Sequence, residues 1–158
     1  MLFDVCAAGL IDQGVSTSLT HWLSLDGEAR VVELLNRIRA SRNSGVFDQN
    51  QVREIALRGL LYKETQASRV PGTLLERLKD MRNLVQRKGR DYNAGGVSIL
   101  DYWILGPDSI FHEIHKRCLR LVSLSRAHRP AEYEAEAESG LDLAAFCVFL
   151  LAYLDLEM

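Results

Sequence analysis

The stretch Asp108-Ser109-Ile110-Phe111-His112-Glu113-Ile114-His115-Lys116-Arg117-Cys118-Leu119-Arg120-Leu121-Val122 decides the fold class. Ile110, Phe111, Ile114, Cys118, Leu121 and Val122 recur at intervals of three and four, the spacing that lines up side chains on one face of an α-helix. Asp108 is placed to cap its start. Arg117 and Arg120 sit at the edge of this apolar stripe, and Lys116 faces solvent. No segment shows the period-two alternation of a half-buried strand with comparable strength.

The same spacing extends in both directions. After a short link around Arg126–Arg129, Pro130 suits the first turn of a last helix, and Glu132 and Glu134 favour its dipole. That helix runs to about Leu154, and the short link predicts that it packs antiparallel to its predecessor. Upstream, Ala29, Val32, Leu35 and Ile38 form a stripe from Gly27 to Ala40. Val52, Ile55, Ala56, Leu60 and Leu61 form another, with Asp48 as its cap. Gly59 either weakens that helix or marks a close helix contact. Thr73-x-x-Glu76 has the capping-box pattern, ahead of Leu74, Leu75, Leu78, Met81, Leu84 and Val85, with a stop expected at Gly89. From Arg90 to Pro107, Asn93-Ala-Gly-Gly and Gly106-Pro107 signal turns, with a short helix expected within Val97–Leu105. The expectation is an all-α class, with residues 1–158 in one compact domain that ends in an antiparallel helix pair.

Composition narrows the partners. A chain of 158 residues is long enough to bury a core. A formal net charge of -2 disfavours a dedicated duplex nucleic-acid binder, which carries a basic excess. The most apolar run, Leu141 to Leu154, is interrupted by Asp142 and is shorter than the ~20 residues of a membrane span, so it reads as a buried helix. Cys6, Cys118 and Cys147 have no metal-ligand spacing and read as reduced thiols, which fits the cytoplasm.

The candidate chemistry lies on the last two helices and the segment before them. Glu134, Glu138 and Asp142, at i, i+4 and i+8, share one helix face. Asp142 falls inside an apolar run, and a buried carboxylate needs a partner. A salt bridge to Arg117 or Arg120 and a ligand or metal role are both open. Those two arginines, at i and i+3, suit phosphate through their planar forks; an ion pair with Glu113 is the alternative for Arg117. His112 and His115 are three apart rather than four, so they do not form the zinc pattern His-Glu-x-x-His. Tyr92, Tyr102 and Trp103 are candidates to stack on a base or to fill the core.

Three motifs in order carry a family resemblance: Lys88-Gly-Arg-Asp91-Tyr92-Asn93, Arg117-Cys-Leu-Arg120-Leu121, and Glu138-Ser-Gly-Leu-Asp142-Leu-Ala-Ala145-Phe146. Over about residues 75–154 the chain resembles the nucleotide modification associated domain family of phage-encoded proteins. Asn93 stands where the family has Gly, Arg117 where it has Lys, and Ala145-Phe146 where it has Asn-Tyr. The first 70 residues or so have no recognised counterpart.

The resemblance implies a nucleotide-binding domain in phage nucleotide metabolism, DNA modification or counter-defence. Lys88, Asp91, Tyr92, Arg117 and Arg120 would be its ligand-binding residues. A more distant similarity to MazG-like all-α pyrophosphohydrolases implies a homodimer and a magnesium-dependent alternative, with Glu138 and Asp142 as metal ligands. Glu138-x-x-x-Asp142 departs from the Glu-x-x-Asp spacing of those enzymes. A helical interaction protein without catalysis is the third reading.

Overall fold

Helix is what the three-and-four spacing dictates, and the computed structural model follows it over most of the described residues. It describes residues 2–12, 15–93, 95–96, 103–127 and 136–157, with the backbone alone for 2–3, 12, 91–93 and 157. Among the described residues the helices are α1 (Leu2–Asp12), α2 (Thr17–Ser24), α3 (Gly27–Ala40), α4 (Gln49–Leu60), α5 (Val70–Asn93), α6 (Pro107–Ala127) and α7 (Glu136–Glu157). A 3-10 turn, Ala67–Arg69, leads into α5. Between α3 and α4, β1 (Arg42–Asn43) and β2 (Val46–Phe47) pair as a minimal antiparallel hairpin. Its turn residues Ser44 and Gly45 both have positive φ, 52° and 81°, the geometry that a two-residue hairpin turn requires.

α7 is the centre of the molecule. It packs against α4 and α6, with α1 and α5 closing on it as well, while α3 backs α6. Leu143, Ala144, Cys147, Val148 and Leu150 are fully buried, so α7 is apolar round most of its circumference. The stretch Glu136–Leu156 is long and apolar enough to cross a membrane by length and composition, longer than the run read from the sequence. In this fold most of it is covered by other helices. α6 and α7 run antiparallel, as expected: Gly106 lies against Tyr153, and Arg117 against Asp142.

The α4–α7 crossing is set by two glycines. A Cβ on Gly59 would come within 2.7 Å of the Gly140 carbonyl oxygen, and one on Gly140 within 2.6 Å of the Gly59 oxygen. Of the two readings of Gly59, the close contact is the one realised.

Several local expectations are corrected. α3 buries Arg30, Val31, Leu34, Leu35 and Ile38, which leaves Ala29 exposed and Val32 half-buried. Arg30 donates to the carbonyls of Leu23 (2.9 Å), in the last turn of α2, and of Leu25 (3.2 Å) and Tyr62 (2.8 Å), just past the ends of α2 and α4. The Thr73–Glu76 capping box does not form, because α5 begins earlier, with Pro71 in its first turn. Thr73 instead donates to Glu64 at 2.7 Å. α5 continues through Gly89 to Asn93, since a glycine costs a helix only about 1 kcal/mol and does not by itself end one. Asp108 lies within the first turn of α6 and holds Arg42 at 2.8 Å instead of capping. Asp48 does cap α4, accepting from the Gln51 amide at 3.2 Å. Trp103–Gly106 forms a turn closed by a 2.9 Å hydrogen bond, not the end of a short helix; residues 97–102, the rest of that expectation, lie outside the described residues. So do Pro130, Glu132 and Glu134.

Candidate functional site

The second half of α5, the first half of α6 and the middle of α7 enclose a groove of about 1320 Å³. Its walls are arranged in two zones. Leu84, Val85, Ala145, Phe146, Phe149 and Trp103 make an apolar zone. Within it, the Trp103 and Phe149 ring centroids lie 5.2 Å apart at 60°, and those of Phe146 and Phe149 lie 6.5 Å apart.

The polar zone is a chain of charges centred on Asp142, whose side chain is 6% exposed. Lys88 of α5 donates to Asp142 Oδ1 at 2.8 Å, and Arg117 Nε of α6 stands 3.7 Å from Oδ2. Arg117 also lies 3.5 Å from Glu113, which takes Lys116 at 3.0 Å. The Arg117 guanidinium rests over the Phe146 ring, 5.3 Å from its centroid. A buried carboxylate is costly unless paired, and two cations from two other helices meet that need here.

The Arg117 Nε is buried without a hydrogen-bond partner among the described residues, and both ion pairs of this side chain are longer than a good charge-assisted hydrogen bond, ~2.7–2.9 Å. Arg90 and Lys116 add positive charge along the same walls. Asp108 also faces the groove, but its charge is taken by Arg42.

The residues proposed from the sequence separate into groups. Lys88, Arg117 and Asp142 converge on the groove. Arg120, the second proposed phosphate ligand, does not line it. The backbone of Asp91 and Tyr92 ends α5, while their side chains, and Tyr102 entirely, lie outside the described residues. Glu138 sits one turn before Asp142 and lies 3.8 Å from Arg87, while Asp142 pairs with Lys88 and Arg117. Among the described residues no three His, Cys, Asp or Glu side chains cluster as a metal site would need.

His112 lines the groove. His115 is half-buried, and burial, aided by Arg39 and His112, holds its pKa below the usual histidine value. What the sequence reading missed is the aromatic ladder: Asp142, Phe146 and Phe149 follow one another at i, i+4 and i+7, so the helical spacing already placed them on one face.

The cysteines stand apart from this site. Burial pushes the Cys118 thiol up to about 12 and that of Cys147 higher still. Cys6, half-buried beside Asp155, is raised by burial first and then by that carboxylate. Raised values keep all three protonated at pH 8, and the thiolate is the reactive form. A disulfide-exchange reagent at pH 8 is therefore expected to label the native protein slowly, at Cys6 alone, and all three thiols in urea. Rapid native labelling of three thiols would show that α6 and α7 are not packed as described.

The chain matches no family model, no curated protein and no solved structure.

Proposed function

We propose that the groove between α5, α6 and α7 binds a phosphorylated aromatic small molecule of the nucleotide class. The observation that carries the reading is Arg117. Its guanidinium lies on an aromatic face beside Lys88 at the edge of a wide apolar groove, and its buried Nε has no hydrogen-bond partner among the described residues. Phosphate oxygens can accept from the part of this fork that stays accessible, the Arg117 side chain being 25% exposed. The apolar zone with Trp103 and Phe149 takes the base, at ~1–3 kcal/mol per stacked base by analogy with single-strand binders. The three motifs behind the family resemblance support the same reading, since each contributes to this one groove, with Lys88, Arg117 and Asp142 among the residues they supply.

Calorimetry with a panel of nucleotides tests it. Wild type is expected to bind at least one nucleotide below millimolar concentration. Arg117→Met is expected to weaken binding by about tenfold or more, the loss of a hydrogen bond to a charged group. No binding by wild type would leave the groove as a protein-docking surface and the chain as a helical interaction protein. Release of pyrophosphate once magnesium is added would replace the binding reading with an enzymatic one.

A further inference from the structure

We infer that Asp142 and Glu113 level the charge of this groove, so that it selects its ligand by the aromatic base and is indifferent to the number of phosphates. The inference rests on the groove being the nucleotide site. Its basis is the way the innermost charges pair. Lys88 and Arg117 carry two positive charges, and Asp142 and Glu113 return two negative ones at 2.8, 3.7 and 3.5 Å, with Glu113 also shared with Lys116 at 3.0 Å.

Asp142 cannot leave to make room for a ligand. Its side chain is 6% exposed on a helix packed on several sides, whereas Lys88 and Arg117 are 40% and 25% exposed. A phosphate therefore adds to the pair instead of replacing the carboxylate. It gains the open donors of Arg117 and Lys88, which are local and saturate with the first phosphate. It gains little from net charge, because the field of the inner four groups nearly cancels. Lys116 and Arg90 are exposed, and solvent and salt screen what they add.

The remaining discrimination falls on the zone of Phe146, Phe149 and Trp103, which has no charge to read. The ligand class is a nucleotide distinguished by its base, whether it carries one, two or three phosphates.

The test is binding of the mono-, di- and triphosphates of the four common ribonucleosides, in buffer freed of divalent cations. Wild type is expected to hold the three forms of its preferred nucleoside within about threefold of one another. Asp142→Asn keeps the shape of the side chain and removes its charge. It is expected to open a ladder of about threefold per added phosphate, as one unbalanced charge a few ångströms away in a high-dielectric groove requires. Glu113→Gln, on a different helix and with its side chain 26% exposed, is expected to give the same ladder in weaker form, and it carries the test if the first variant unfolds. A wild-type ladder steeper than about threefold across the series overturns the inference while leaving the nucleotide site standing. So does a flat series in both variants. No binding of any of the twelve compounds overturns the nucleotide site, and the inference with it.

Discussion

Arg30→Met is expected to lower the stability of the protein by about 4 kcal/mol and its melting temperature by roughly 10 °C, the slope typical of a domain of this size. Arg30 is 5% exposed and donates to three backbone carbonyls, at Leu23, Leu25 and Tyr62. Its guanidinium also lies over the Trp22 ring, 4.2 Å from the centroid, and the Trp22 indole donates back to the Arg30 carbonyl at 2.9 Å. Methionine fills much of the volume and supplies no donor. The carbonyls at the ends of α2 and α4 then lose this partner, and each buried acceptor so stranded costs ~1–3 kcal/mol. Urea unfolding of the variant beside wild type measures the difference. A midpoint unchanged within error would mean that water reaches those carbonyls and that Arg30 holds nothing together.

Gly140→Ala and Gly59→Ala should each cost about 3 kcal/mol, against the usual expectation that alanine improves a helix by about 1 kcal/mol over glycine. The added methyl meets a backbone oxygen at 2.6 Å in one case and 2.7 Å in the other. A flexible side chain would swing away from such a contact, but a carbonyl inside a helix has nowhere to go, so α4 and α7 must separate. Because both variants relieve the clash by the same separation, the double variant should cost clearly less than the sum of the singles. Melting curves of the three proteins decide it. A stabilised single variant would show that the helices do not approach as closely as described.

The two residues also show how far the chain is legible. Gly59 was recognisable as one of two things from its place in an apolar helix, but its partner, Gly140, is fixed only when α7 crosses α4. Arg30 was invisible, because periodicity places apolar residues and has no rule for an arginine that turns inward to reach backbone carbonyls, one of them 32 residues on. It is buried on the face of α3 that also holds Val31 and Leu34, where Ala29 and Val32 were expected. The helices from α3 onward, the antiparallel α6–α7 pair and the burial of Asp142 all follow from local spacing, and they were readable, whereas α1 and α2 were not assigned.

The candidate site was half readable for the same reason. Lys88, Arg117 and Asp142 could be named, since a charge beside or within an apolar stripe stands out. That Lys88 would hold Asp142 across 54 residues could not be read, because three helices have to meet first. Arg120 lies only one turn from Arg117 on α6, yet it does not line the groove. Spacing gives the side of a helix to within a wide arc, and a groove is narrower than that arc.

The central place of α7 has a consequence for the order in which this molecule is made. During synthesis α1 to α6 all emerge before the helix that four of them pack against. Gly59 waits for Gly140, which follows roughly 80 residues later, several seconds at ~5–20 residues per second. Throughout that interval the apolar faces of α4 and α6 have no α7 to close on. A growing chain of this design is most exposed to aggregation just before α7 emerges, and what it needs from its surroundings in those seconds is a cover for the gap that α7 will fill.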